Sequence, residues 1–210
     1  MRPNRRAVLT AALAAPLLGP GRLLAALPPS AAARIAEVET YLRGITTLQA
    51  RFVQLAANGE ASSGTMWLER PSNLRMAYDQ PKRMELITRG FDLVFVDYKA
   101  RQVTYLPVSQ TPLAFLLGRG EVTLSGDVTV TDVGERQGEL WITMVQTRSP
   151  DQGQVQVAFG QRPLELRRWV VKDVRGRETV VYLEDVRIGL PLPADVWAFR
   201  DPKFFGWDGK

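Results

Sequence analysis

From Leu48 to Ile188 the chain is a series of short runs in which apolar and polar residues alternate. Gly, Pro, Asn or Asp punctuates them about every ten residues. A period of two sends successive side chains to opposite faces of a strand. "LQARFVQLA" puts Leu48, Ala50, Phe52 and Gln54 on one side. "SSGTMWLER" and "NLRMAYDQP" read as the next two strands, across a Pro71-Ser72-Asn73 turn. "MELITRG" and "DLVFVDY" pair around Gly90, and "RQVTYLP" follows a Lys99-Ala100 turn. Further on, "GDVTVTDVGERQG", "ELWITMVQT", "QVQVAFG", "LELRRWVVKD" and "ETVVYLEDVRI" continue the pattern, and "DVWAFRDP" is a last extended piece. This is the spacing of an all-β sheet or barrel. About ten or eleven antiparallel strands make a long open sheet, and such a sheet curls through its own twist.

Two segments break the alternation. "SAAARIAEVETYLRGI" repeats Ile35, Val38, Leu42 and Ile45 at helical spacing, with Ser30 placed as N-cap and Gly44 as stop. "SQTPLAFLLGRG" has a Ser/Thr-Pro start, an apolar centre and Gly118 at its end, and predicts a short helix apolar nearly all round. The "EVTLSG" stretch at 121–126 could be lid, strand or loop. Several strands are apolar on both faces. In "LVFVDY", Leu93 and Phe95 face one way, Val94 and Val96 the other. With so few helices to cover two faces, one apolar concavity under a small helical lid is the economical arrangement.

The N-terminus reads as an export signal over residues 1–26. Arg2, Arg5 and Arg6 precede an apolar stretch from Ala7 to Leu18, followed by small residues. That stretch is shorter than the roughly 20 residues of a membrane span. Cleavage fits after Ala26 or after Ala33, and export by the general secretory or the twin-arginine route. Residues 27–210 then form a single domain. The signal holds four of the 27 basic residues, leaving 23 against 22 acidic ones. The near-neutral mature chain gives no push toward nucleic acid. The chain has no Cys and no His, so disulfides, thiol catalysis and the commonest metal ligand and general base are excluded. No metal or cofactor is expected, and a non-enzymatic role fits best. Carboxylates such as Asp79, Asp92, Asp97, Asp173 and Glu178 are present, but hairpin chemistry explains the last two.

Four stretches together resemble the LolA family of periplasmic outer-membrane lipoprotein carriers: "FVQ" at 52–54, "SGTMWLERP" at 63–71, "LRMAY" through "QP" at 74–81, and "TPLAFLL" at 111–117. The likeness runs from about Ile35 to Pro202. It implies a mainly β fold with a few α-helices, an incomplete and strongly curved antiparallel β-barrel with a helical lid over an apolar cavity. It also implies a periplasmic monomer that takes acylated lipoproteins from an inner-membrane ABC transporter (LolCDE-like). Delivery is to an outer-membrane acceptor (LolB-like) or to the outer membrane itself. Arg70 matches the arginine of the family's "RP" motif, which implies that it latches the lid through backbone carbonyls. Candidates for the cavity wall and lid are Phe52, Trp67, Leu74, Met76, Tyr78, Phe95, Leu113, Phe115 and Leu116. Leu74 and Met76 stand where many relatives carry aromatics. A binding protein for another amphiphile, a free lipid or glycolipid, would share this fold and cavity.

Overall fold

The computed structural model describes residues 29–81, 83–111, 114–117 and 122–207. Residues 1–26, expected to be an export signal, and Leu113 lie outside the described residues. A helix, α1 (Pro29–Gly44), leads into eleven antiparallel strands of one sheet. The first meander is β1 (Thr47–Leu55), β2 (Ala61–Glu69), β3 (Asn73–Tyr78), β4 (Met84–Arg89), β5 (Asp92–Asp97) and β6 (Gln102–Pro107). The second is β7 (Val128–Arg136), β8 (Glu139–Gln146), β9 (Gln154–Gln161), β10 (Leu164–Lys172) and β11 (Glu178–Ile188). They join where β11 pairs with β1, so the spatial order is β6-β5-β4-β3-β2-β1-β11-β10-β9-β8-β7. The sheet is not closed: β6 and β7 are its two edges. Register shifts between Gln49 and Arg51, Val130 and Asp132, and Leu166 and Arg168 each insert an irregularity. Such bulges bend a strand and raise its twist, which curls the sheet.

The alternation seen in the sequence sorts the two faces. The concave face collects Leu48, Ala50, Phe52, Met66, Leu68, Leu74 and Met76 from the first meander. From the second it takes Ile142, Val157, Phe159, Leu166, Trp169 and Leu183, among others. Val38, Leu42 and Ile45 reach into the same cluster, so the apolar stripe of α1 lies in the hollow. Tyr41 packs edge-on against Phe159 at 6.0 Å and accepts a hydrogen bond from the backbone of Leu166 at 3.0 Å. The helix is already formed at Pro29, which places Ser30 inside it rather than at its cap. The alternative cleavage point after Ala33 also falls inside it.

The second apolar face of β4 and β5 has a cover that was not foreseen. Ile87, Val94 and Val96 are buried beneath Phe199 and Trp207. The segment expected as a last extended piece forms a strap across the convex face, with a 3-10 turn (Ala194–Trp197) and a short helix α3 (Pro202–Phe205). Pro191, Pro193 and Pro202 lack the amide hydrogens that a sheet ladder needs. Arg75 donates to the Val196 carbonyl at 2.5 Å and also meets the buried Glu85 carboxylate, which accepts from Tyr98 at 3.0 Å. Tyr105 donates to Asp201 at 2.5 Å, and the same carboxylate caps α3 through the Lys203 amide. Trp207 stands edge-on to Tyr98. Among the described residues, no helix is long and apolar enough to cross a membrane.

Candidate functional site

The described parts of the chain between the sheet's two edge strands, residues 108–111, 114–117 and 122–127, form the site. They are a 3-10 turn (Val108–Gln110) after β6, the helix α2 (Ala114–Leu117), and an irregular stretch over 122–127 ahead of β7. Each end is tied down. Val108 donates its amide to the Phe91 carbonyl at 2.8 Å, and Thr111 bonds back to Val108 through both its amide and its hydroxyl. On the far side, the Leu124 amide donates to Glu39 of α1 at 2.7 Å. Between these anchors Phe115, Leu116 and Leu117 turn into the concave cluster and are 6%, 2% and 3% exposed. The "EVTLSG" stretch is neither strand nor lid helix over its described residues, and Val122 and Leu124 insert as further plugs.

The carbonyls of a helix's last turn are open to partners from outside the helix. Leu116 C=O, near the end of α2, accepts a hydrogen bond from the Arg70 guanidinium at 3.1 Å. Arg70 itself sits at the end of β2, where its amide donates to Thr46 C=O at 2.8 Å. Pro71 and the turn to β3 follow at once, so the side chain stands at the rim of the hollow. Partial burial lowers the Arg70 pKa from its ordinary value, though a guanidinium stays protonated at any physiological pH. A charged hydrogen bond of this kind contributes about 1.5–3 kcal/mol.

Beneath α2, Phe52, Leu74 and Met76 are fully buried on the concave face. Tyr78 stands edge-on to Phe52 at 5.0 Å and donates to Gln54 at 2.8 Å. Burial pushes its phenol up to about 12. Phe95 shares the face, half-buried, opposite Leu86 and Thr104. Trp67 does not join them. It pairs with Gln49 and Arg75 one step out of phase with Met66 and Leu68, so it lies on the convex face. The period of two decides this, because any residue next to Met66 must point the other way. Leu117, Val122 and Leu124 were missed as plugs. Leu117 belongs to the apolar run "AFLL", whereas for Val122 and Leu124 the one signal is the alternation in "VTL", which is too short to assign a face.

Gly64 belongs to the same floor. A Cβ there would lie 2.6 Å from the Phe52 ring and 2.1 Å from the Ala77 carbonyl. Only a residue without a side chain lets β3 and the Phe52 ring come this close.

Beside Phe115 lies a cleft of about 140 Å³, walled by Val128, Met144, Val155 and Val171. An apolar cavity of about 150 Å³ takes a benzene-sized guest, so this cleft by itself is too small for a long acyl chain. On the other flank of α2 a second cleft, of about 300 Å³, lies between Phe91, Val108, Ala114 and Leu117. Phe91 is largely exposed at its mouth.

Two of the carboxylates considered for chemistry, Asp79 and Asp173, are engaged otherwise. Arg51 and Ser63 hold Asp79 at 2.5 and 2.7 Å and depress its pKa. Asp173 accepts from the amides of Arg175 and Arg177 inside its turn, which lowers its pKa likewise. No group of three or more acidic residues that could hold a metal occurs among the described residues.

A family model described as outer membrane lipoprotein carrier protein LolA matches residues 43–200. The chain is similar to the outer-membrane lipoprotein carrier protein of Methylococcus capsulatus, with 29% identity over 174 residues, covering 79% of this chain and 82% of that one. To the protein of the same description from Alkalilimnicola ehrlichii it is 30% identical over 159 residues, covering 73% and 68%. A crystal structure of a LolA superfamily protein from Nitrosomonas europaea overlaps 80% of this chain and 97% of that one, with 12% identity and a TM-score of 0.43.

Proposed function

The chain belongs to the LolA family of outer membrane lipoprotein carriers, and from that premise we propose that it ferries acylated lipoproteins across the periplasm, with α2 as the moving lid. The observation that carries this reading is the plug itself: Phe115, Leu116 and Leu117 occupy an apolar hollow and are tied at the rim by a hydrogen bond to a backbone carbonyl. Burying each of these side chains stabilises the closed state by about 1.5–3 kcal/mol, or roughly 5–9 kcal/mol together. A 16-carbon acyl chain gains about 12 kcal/mol by leaving water. One chain can thus displace the lid, and the lid's return offsets much of what release costs. Cargo is held more loosely than in a membrane, as a carrier requires.

Residues 1–26 act in this reading as an export signal that is removed, and 27–210 as the single carrier domain. An inner-membrane ABC transporter loads the protein, and an outer-membrane acceptor or the outer membrane itself receives the cargo. The carrier acts as a monomer, and no bond in the cargo is made or broken. Depleting the protein tests this: lipoproteins destined for the outer membrane should accumulate at the inner membrane on fractionation. An unchanged distribution between the two membranes would refute it.

A further inference from the structure

The small apolar cleft beside Phe115 does not end blindly. Gln110, Gln146 and Gln152 line it and also line a larger adjoining hollow of about 610 Å³. The two are consecutive compartments of different chemistry. Val128, Met144, Val155 and Val171 wall the inner one. Ser109 and Ser149 join the three glutamines in the outer one, with one acid, Asp127, and one base, Arg148. The other charges nearby are already engaged. Lys172 pairs with Glu178 at 3.3 Å, and Asp173 is locked into its own turn.

We propose that the outer compartment is a vestibule that receives the uncharged polar junction of the cargo, where the acyl chains meet the peptide. This rests on the carrier reading above and deepens it. Amides and hydroxyls both donate and accept hydrogen bonds. They match ester carbonyls, the N-acyl amide and the first peptide groups, which also donate and accept without carrying charge. A phospholipid would bring a phosphate, whose recognition calls for an excess of Arg or Lys or for an array of backbone amides. The balanced Asp127 and Arg148 supply no such excess. Gln110 sits on the segment that leads into α2. Seating of the head group and the position of the lid are therefore joined through one residue.

The test compares two probes on the full mature protein: a synthetic triacylated lipopeptide with an uncharged five-residue peptide, and palmitate. The variants are Gln146→Leu with Gln152→Leu, which removes two amides at similar size, and Ser149→Trp, which fills the vestibule. Each lost hydrogen bond lowers affinity by roughly two- to tenfold. The double variant should therefore lose about tenfold or more for lipopeptide, while its affinity for palmitate should not fall. Ser149→Trp should show the same split. Equal loss for both probes, or none for either, overturns the vestibule while leaving the carrier reading standing. A native protein that binds phosphatidylglycerol vesicles' lipid but no lipopeptide overturns both.

Discussion

Replacing Arg70 by leucine removes the hydrogen bond that its guanidinium donates to Leu116 C=O. The loss is about 1.5–3 kcal/mol for a hydrogen bond with a charged partner. At 1.4 kcal/mol per decade, the ratio of open to closed lid rises roughly 10- to 100-fold. The burial of Phe115, Leu116 and Leu117 still favours closure by roughly 5–9 kcal/mol, so the variant remains mostly shut and folded. The hollow nevertheless becomes cheaper to enter by the same factor. A hydrophobic dye should bind about 10- to 100-fold more tightly, and amides of 114–117 should exchange faster with solvent. Thermal unfolding of the sheet should hardly change, because the lid opens locally. Delivery of lipoprotein to acceptor membranes should slow, since the force that expels the cargo has weakened. Arg70→Lys, which keeps the charge but not the planar fork, should fall between. Native dye affinity together with native lid exchange in Arg70→Leu would refute the latch. A large drop in melting temperature would show instead that Arg70 serves the whole fold.

Gly64→Ala should destabilise the fold by about 1–3 kcal/mol or more, since overpacking against the Ala77 carbonyl and the Phe52 ring cannot be relieved by a flexible side chain; a thermal melt checks it, and a native melting temperature would contradict the close approach. The phenols of Tyr98 and Tyr105 are held up to about 12. For Tyr98 the main cause is burial and then the Glu85 carboxylate; for Tyr105 it is the hydrogen bond to Asp201. A phenol raised above its ordinary value of about 10 stabilises the fold fully below that pH and loses its contribution as pH rises through the folded value. The strap over β4 and β5 should thus come away between about pH 10 and 12, seen as late phenolate absorbance coupled to a change in Trp207 fluorescence. Ionisation of both phenols near pH 10 would remove the basis for this.

Much of the architecture follows from local pattern. Alternation is a property of neighbouring residues, so the strands from Leu48 to Ile188 and the apolar stripe of α1 were legible at once. Faces were harder. Trp67, a wall or lid candidate through the resemblance, alternates with Met66 and Leu68 and so lies on the convex side. The strap shows another limit: "DVWAFRDP" has the composition of a strand, yet no local rule says which face of a distant hairpin a proline-rich tail will cover.

The division between the two sources of information has a physical origin. Strand and helix periods, the arginine ahead of Pro71, the absence of thiol and imidazole chemistry, and the apolar run near 114–117 are short-range features, readable along the chain. Contacts between residues far apart in sequence are not. That Arg70 meets Leu116 46 positions away, that α1 and α2 both fill the hollow, and that two adjoining clefts share three glutamines depend on how tightly the sheet curls. That curl is the sum of eleven strand twists and three bulged registers, a quantity that exists only once every strand has found its neighbour.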